Sequence, residues 1–375
     1  MTTPWTREHL RCLDPEGLQT NVFDAGATTR AIEHLHLWDL WPVRRPDGTK
    51  TQFAGTELWI ALSAPSLLQP GERHDVARLR LLSHGNGAWS DLGPVFPNGA
   101  SAGSREWAGC ATLGEDDMLE VLYTAAGRPG ETQPGFEQRI FRVEGRFDAI
   151  TSRVDAWSPH REVVTPDGSY ASTHDQTTGE PGFIKAFRDP FRFEDPVTGD
   201  RLVLFTASMP VSTSDFDGAI GLARYDAGDS LTVVPPLITA DGVNNELERP
   251  HLLRHNGLIY MFFSTQARTF HPEVEGVTGL YGFVSDSIEG DWEPLNGSGL
   301  VLANPAEEPN QAYSWLVLDD LSVCSFVDFH TLKGRHPEEV ERQGLGREHF
   351  GGTPAPIERI SVDGTTTRLL APRAS

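Results

Sequence analysis

The stretch ERPHLLRHNGLIYMFFS, residues 248–264, contains the pattern that decides the fold. It opens on a charged motif, Glu248-Arg249-Pro250, and closes on a short apolar run, Leu258–Ser264. Short runs of this kind, bounded by Gly, Pro, Asp or Asn, are typical of buried strands. Helical periodicity is weak almost everywhere along the chain. The stretch therefore predicts a unit of β-structure that carries a polar motif.

The same arrangement recurs along the chain, with motifs about 60–80 residues apart and each apolar run roughly 10–20 residues after its motif. The motifs are Trp38–Pro42, Glu106–Gly109, Arg188–Pro190, Glu248–Pro250 and Ala312–Trp315. The runs are Leu58–Ser63, Met118–Thr124, Leu202–Thr206, Leu258–Ser264 and Leu321–Phe329. This repeat predicts an all-β protein, a single five-bladed β-propeller with a central funnel-shaped active site. The innermost strand of each blade would bring one motif to that funnel.

No linker divides the 375 residues, so residues 1–375 are predicted to form one catalytic domain. Residues 1 to about 30 and about 360 to 375 are predicted to be extensions that pack on the propeller. The charged, turn-rich stretch His330–Phe350 is predicted to be a solvated surface segment.

Composition argues against several classes of partner. The 31 basic and 53 acidic residues give a net charge of −22, which opposes binding to nucleic acid or to an anionic membrane. No apolar run approaches the length of a membrane span. The three cysteines include no CxxC pair, and the thirteen histidines form no HExxH motif, so no metal is predicted. No Gly-rich run matches a phosphate or dinucleotide fingerprint, so no cofactor is predicted.

Three carboxylates stand out by their neighbours. Asp39 lies between Trp38 and Trp41, Asp189 lies in an Arg-Asp-Pro motif, and Glu248 lies in the Glu-Arg-Pro motif. An Asp flanked by large aromatic residues rarely lacks a functional role. Taken singly, the other two motifs have simpler explanations, since Asp-Pro commonly starts a turn and Glu-Arg commonly forms a surface ion pair.

Glu246 lies two residues before Glu248, so in a strand both side chains point to the same face. Repulsion between them would raise the pKa of at least one. Cleavage of a glycosidic bond needs one carboxylate that attacks or stabilises the sugar centre and a protonated one that donates to the leaving oxygen. Tryptophan faces stack on sugar rings, and arginines hold hydroxyl groups. The motifs therefore favour sugar chemistry.

Taken together, the motifs resemble glycoside hydrolase family 68, the bacterial levansucrases, inulosucrases and related β-fructofuranosidases. The markers occur in the family's order and are Leu37–Pro42, Glu106–Gly109, Phe187–Pro190, Glu246–Pro250, Leu280–Ser287 and Phe350–Thr353. The family fold is a five-bladed propeller. The resemblance implies retaining transfer of the fructosyl group of sucrose, through a covalent fructosyl–Asp intermediate, to water or sugar acceptors, with release of glucose.

The resemblance also implies roles for single residues. Asp39 would be the nucleophile, Asp189 the transition-state stabiliser and Glu248 the general acid/base. The implied substrate-binding residues are Trp38, Trp107, Arg188, Glu246, Arg249, Gln266 and Tyr313. The first three would line the fructosyl subsite, and the others would shape the glucosyl side or support the acid/base.

Some positions depart from the family pattern. Ala108 stands where many members have a Ser that hydrogen-bonds the nucleophile, so that bond is lost or supplied elsewhere. Gln266 stands where polymer-forming members carry Arg or His, which favours hydrolysis or short products. Phe183 and Asn245 stand at the positions with which some members bind calcium. A phenyl ring cannot ligate that ion, so no calcium is predicted there.

Two other interpretations remain open at this stage. One is a related five-bladed glycosidase acting on another furanoside or pentosan, which would cleave aryl pentosides and not sucrose. The other is a non-catalytic sugar-binding propeller, which would bind sucrose without releasing glucose. The family acts on external sucrose, which favours an extracellular location; no signal peptide is visible, so a cytoplasmic location stays open.

Overall fold

The computed structural model describes residues 2–53 and 55–371. Residue 1 and residues 372–375 of the predicted terminal extensions lie outside the described residues. The chain begins with a short strand, β1 (Thr3–Pro4), and a short helix, α1 (Arg7–Leu10).

The later strands of the described chain form five blades, and each blade is drawn from one continuous stretch. Blade 1 contains β2 (Leu35–Arg44), β3 (Gln52–Phe53), β4 (Thr56–Pro65), β5 (Arg78–Gly85) and β6 (Ala88–Pro94). Blade 2 contains β7 (Arg105–Leu113), β8 (Met118–Ala126), β9 (Gln138–Asp148), β10 (Arg153–Asp155) and β11 (Arg161–Val164). Blade 3 contains β12 (Phe187–Glu194), β13 (Arg201–Ser208), β14 (Gly218–Tyr225) and β15 (Leu231–Thr239). Blade 4 contains β16 (Glu248–His255), β17 (Leu258–Thr265), β18 (Gly279–Ser285), β19 (Glu293–Pro294) and β20 (Leu300–Ala303). Blade 5 contains β21 (Ala312–Val317), β22 (Ser322–Phe329), β23 (Phe350–Pro354), β24 (Glu358–Asp363) and β25 (Thr366–Leu369).

The first strand of each blade lies innermost, and the later strands pair antiparallel outward from it. The inner strands β2, β7, β12, β16 and β21 lie side by side in a ring that closes between β21 and β2. Blades 1 and 2 join into one sheet because β2 and β7 pair in parallel, with Val43 opposite Ala111 and Arg44 opposite Thr112. The predicted five-bladed propeller is confirmed, and each predicted motif lies on or at the start of an inner strand.

The second strand of each blade explains the continuous apolar runs in the sequence. In β17, residues Ile259–Thr265 are all buried. Neighbouring blades pack face to face, so a strand near the middle of a blade is covered on both faces. Both sets of alternating side chains are then apolar, and the sequence reads as one unbroken run.

The N-terminal segment ties two blades together. β1 pairs in parallel with β15 of blade 3, with Thr3 opposite Ile238. Trp5 is fully buried, and its ring lies 5.5 Å from that of Phe263 and 5.1 Å from that of Tyr281, both in blade 4. At the other end of the chain, β24 and β25 form the outer edge of blade 5.

The stretch predicted to be a solvated segment contains two short helices instead, α2 (Pro337–Arg342) and α3 (Gly346–His349). Val340 is fully buried, and the Gly71 N–H donates to Glu341 Oε1 at 2.7 Å. Most of the stretch is exposed or partly exposed as predicted, but three buried apolar residues, Leu332, Val340 and Phe350, anchor it to the propeller. Gly71 belongs to a 3₁₀ helix, Pro70–Asp75, and a second 3₁₀ helix spans Ala267–Thr269.

Candidate active site

The inner strands share an irregularity at the level of the motifs. In blades 1, 3, 4 and 5 the backbone there has a positive φ, namely 45° at Asp39, 56° at Asp189, 52° at Arg249 and 62° at Ser314. Pairing with the second strand shifts register across each of these residues, and also between Trp107 and Gly109 in blade 2. Such a break re-aims a side chain and stores strain of the kind found at functional sites.

Arg188 lies between two acidic side chains. Its Nη2 donates to Glu246 Oε1 at 2.5 Å and to Glu248 Oε1 at 2.9 Å, and its Nη1 donates to Gln138 Oε1 at 3.2 Å. One guanidinium therefore offsets two carboxylates. Burial raises the pKa of Glu246; Arg188 opposes that rise and the charge of Glu248 adds to it. The repulsion expected from the sequence is therefore present and contributes to the raised pKa of Glu246.

Both oxygens of Glu248 are engaged by neighbours. Arg188 donates to Oε1, and the Tyr313 hydroxyl donates to Oε2. The Glu248 side chain is 20% exposed, whereas that of Arg188 is 6% exposed. Glu248 is therefore fixed in orientation by two donors and remains partly exposed to solvent.

The Asp189 carboxylate accepts hydrogen bonds from two neighbouring strands. Its Oδ2 accepts from Thr206 Oγ1 at 3.0 Å and from the Arg249 N–H at 3.3 Å. Burial raises the pKa of Asp189 to about 6, Arg188 opposes the rise, and the charges of Glu248 and Asp39 add to it. These mutual effects place the three predicted carboxylates in one electrostatic cluster.

Asp39 is supported by blades 4 and 5. Burial raises its pKa, and the Arg249 charge and a hydrogen bond from Ser314 oppose the rise. Arg249 Nη1 donates to the Ser314 carbonyl at 2.9 Å and to its hydroxyl at 2.7 Å, and Nη2 donates to the Leu40 carbonyl at 2.9 Å. Arg249 therefore links the backbone next to Asp39 to Ser314 of blade 5, and its predicted part in shaping the glucosyl side or supporting the acid/base stays a prediction. The positive φ at Arg249 turns its side chain toward blades 1 and 5.

The two predicted tryptophans lie on the inner strands of blades 1 and 2, beside the motif residues of those strands. Trp38 is buried and Trp107 is partly exposed. Neither indole N–H has a hydrogen-bond partner among the described residues. Buried donors of this kind are normally satisfied, so both N–H groups are available to a bound molecule.

Gln266 lies at the rim and does not enter the cluster. Its Oε1 accepts from Arg268 Nε at 2.7 Å, and the Arg268 guanidinium lies 3.9 Å from Glu338 at the start of α2. The charge of Arg268 acts on Glu246. Gln266 therefore orients an arginine whose charge lowers the pKa of Glu246, and its predicted role in substrate binding stays a prediction.

At the positions where some family members bind calcium, the side-chain amide of Asn245 joins the segment before Glu246 to the segment before Arg188. Asn245 Oδ1 accepts from the Gly182 N–H, and Nδ2 donates to the Ile184 carbonyl at 3.0 Å. Asn245 is fully buried and Phe183 is exposed. Across residues 2–53 and 55–371, no group of three or more His, Cys, Asp or Glu side chains is placed to hold a metal. Asn245 thus ties the segment before Arg188 to the segment before Glu246.

Several supporting residues were missed by sequence reasoning. Gln138, which anchors Arg188, lies 50 positions away on the third strand of blade 2 and belongs to no motif. Thr206 bonds Asp189 from the end of an apolar run. Ser314 did carry a signal, because it follows Tyr313 in the fifth motif.

Comparison with known proteins gives matches over nearly the whole chain. The family described as Levansucrase/Invertase matches residues 1–216 and 211–371. A levansucrase from Zymomonas mobilis is 32% identical over 401 aligned positions, covering 96% of this chain and 88% of that protein. An extracellular sucrase from the same organism is 28% identical, covering 97% of this chain and 92% of that protein.

Solved structures agree with the architecture. An inulosucrase from Halalkalicoccus jeotgali bound to kestose superposes with a TM-score of 0.90 at 38% identity, covering 98% of this chain and 95% of that one. A levansucrase from Gluconacetobacter diazotrophicus superposes with a TM-score of 0.81 at 23% identity, covering 98% of this chain and 90% of that one. At that lower identity the second structure supports the fold alone.

Proposed function

Since the chain belongs to the Levansucrase/Invertase family and is an enzyme of the glycoside hydrolase and fructosyltransferase class, we propose that it transfers the fructosyl group of sucrose to water and to sugar acceptors and releases glucose. The observation that carries the proposal is the cluster of Asp39, Asp189 and Glu248 on three inner strands, electrostatically coupled and backed by Arg188. A retaining glycosidase needs a nucleophile and an acid/base that reach one sugar carbon.

In the first step, the Asp39 carboxylate attacks the fructosyl C2 and the bond from C2 to the glucosyl oxygen breaks. Glu248 donates a proton to that oxygen, so glucose leaves neutral. The two donors on Glu248, Arg188 and Tyr313, support this role by fixing where its carboxyl points. Positive charge that develops on the fructosyl ring is stabilised by Asp189.

In the second step, a water or sugar hydroxyl attacks C2 of the fructosyl–Asp39 ester. Glu248 now accepts the proton of the attacking hydroxyl, and Asp39 leaves as a carboxylate. Hydrolysis and transfer are therefore two outcomes of one intermediate. Water and sugars compete for it at the partly exposed side of Glu248.

The first experiment is to measure glucose and free fructose separately during sucrose turnover. Glucose in excess of fructose supports transfer, and equal amounts support hydrolysis. No release of either sugar, with cleavage of an aryl pentoside instead, would overturn the proposal. The variant Asp226→Asn, which changes an exposed turn carboxylate, serves as the control for purification and folding.

We propose that sucrose and sugar acceptors are the only partners the reaction needs, with no nucleic acid and no membrane. None of the helices in the described chain is long and apolar enough to cross a membrane. The relative named an extracellular sucrase supports action outside the cell.

The pH dependence should show an acid limb near pH 6. Burial raises the pKa of Asp189 to about 6 and also raises that of Asp39. Below about pH 6 the Asp189 carboxyl is protonated, so it no longer stabilises positive charge on the fructosyl ring. We expect kcat/KM for sucrose to fall as the pH is lowered through about 6, because this ratio reports groups of the free enzyme. A profile that stays flat down to pH 4.5 would contradict the assignment.

Ser314 should take over the role of the serine that the family has at position 108. We expect Ser314→Ala to lower kcat by about tenfold, since it removes a hydrogen bond to Asp39. In the Ser314→Ala background, Ala108→Ser should restore most of that loss by offering a donor from blade 2. If kcat of the double variant stays as low as that of Ser314→Ala, the two positions do not share this role.

A further inference from the structure

Another carboxylate, the partly buried Asp328, lies on β22 of blade 5, the strand that packs against β2 of blade 1. Asp328 lies near the end of β22, where pairing with β23 shifts register between Val327 and Phe329. Its own N–H donates to the Gln311 carbonyl at 2.9 Å. Asp328 Oδ1 is hidden from solvent and has no hydrogen-bond partner among the described residues. A charged oxygen left in this state in a native fold calls for an explanation.

Arg73 lies in blade 1, between strands β4 and β5. It belongs to the 3₁₀ helix Pro70–Asp75, and its Nη1 donates to the Pro70 carbonyl at 2.6 Å. Its guanidinium carbon lies 5.5 Å from the Trp38 ring and 4.6 Å from the Phe350 ring. Arg73 Nε is hidden and also has no hydrogen-bond partner among the described residues. The arginine is thus wedged between two aromatic rings with a donor unused.

Burial raises the pKa of Asp328 to about 6 and the charge of Arg73 opposes the rise, although no ion pair joins the two side chains among the described residues. The charges that act most strongly on Asp328 are those of Arg73, Arg268, Glu341 and Asp39, in that order. Asp39 also acts on Arg73. Because the Arg73 guanidinium packs on Trp38, the residue before Asp39, the pair lies on the side of the site that carries the proposed nucleophile.

We propose that Asp328 and Arg73 bind hydroxyl groups of the fructosyl unit held at Asp39, and so help decide which sugar the funnel accepts. The inference rests on the proposed function. A sugar hydroxyl both donates and accepts, so it satisfies a carboxylate on one side and a guanidinium on the other. The adjoining ring of Trp38 offers an apolar face of the kind on which a sugar ring stacks. The fructosyl unit is favoured over the glucosyl unit because Asp39 bonds to fructosyl C2, whereas Glu248 faces the glucosyl oxygen.

The test compares Asp328→Asn, which keeps the shape and removes the charge, with Arg73→Lys, which keeps the charge and removes the planar donor pattern. We expect each to lower kcat/KM for sucrose by at least about tenfold, the scale of a lost hydrogen bond to a charged group. The double variant should lose less than the product of the two single losses, because both groups would share a ligand. The control Asp226→Asn should leave kcat/KM and Tm unchanged.

Two further measurements separate the proposal from its competitors. A donor carrying a xylosyl group in place of glucosyl should show the same fold-loss as sucrose; a loss confined to sucrose would assign the pair to the glucosyl side and overturn the proposal. A fall in Tm with unchanged kinetic constants would show that Asp328 only neutralises Arg73, which also overturns it. If the proposed function itself is wrong, the wild type will release no glucose from sucrose, and this result differs from every outcome that concerns Asp328 and Arg73 alone.

Discussion

Replacing Asp39 with asparagine is expected to lower kcat for sucrose by about 10⁴-fold or more, because an amide cannot form the ester to fructosyl C2. The backbone should tolerate the change. Asp39 has a φ of 45°, and asparagine is among the few residues that adopt this left-handed conformation at low cost. The loss should therefore appear in chemistry and not in folding.

The measurement is glucose release under saturating sucrose, together with Tm and the dissociation constant for sucrose by calorimetry. The Tm should stay close to that of the wild type, and sucrose should still bind. The control Asp226→Asn should keep full turnover. If Asp39→Asn retains turnover within tenfold of the wild type, Asp39 is not the nucleophile and the proposed mechanism fails.

Replacing Glu248 with glutamine is expected to lower kcat for sucrose by about 10²–10⁴-fold, the range associated with loss of general acid/base catalysis. Glutamine keeps an oxygen that accepts from Arg188 or Tyr313, so the local geometry should survive. What disappears is the proton for the glucosyl oxygen and the base for the acceptor.

A fructosyl donor with fluoride as leaving group separates those two roles. Fluoride needs little help from a proton, so Glu248→Gln should release an early burst of fluoride and then turn over slowly. Sucrose should show no such burst, because its first step still lacks the acid. Equal rates of release from both donors would contradict the assignment of Glu248 as acid.

The repeat in the sequence predicted where the site would form, and the reason is geometric. A motif at the head of each blade lies on the strand nearest the axis, so Asp39, Asp189 and Glu248 had to meet if the ring closed. Their residue types then suggested the chemistry. The meeting of the three carboxylates depends only on where the motifs stand along the chain, and the sequence shows that directly.

The contacts between blades were less predictable. The bonds of Arg249 to Ser314 in blade 5 and to the Leu40 carbonyl in blade 1 could not be predicted from its motif. Asp328 and Arg73 belong to no motif and meet only when blade 5 reaches blade 1. Local sequence carries no record of a backbone break or of a neighbour more than 200 positions away.

Each blade is formed by one continuous stretch of chain, and this affects how the enzyme folds during its synthesis. Hydrogen bonds within a blade join residues close in sequence, so each blade can form soon after its own stretch has been synthesised. The reactive groups, by contrast, come from blades 1, 3, 4 and 5, with Gln138 of blade 2 behind them. A nascent chain that holds four finished blades therefore still lacks Tyr313 and Ser314. Activity should arise in one step, when the fifth blade docks against the first, and not in proportion to the length already folded.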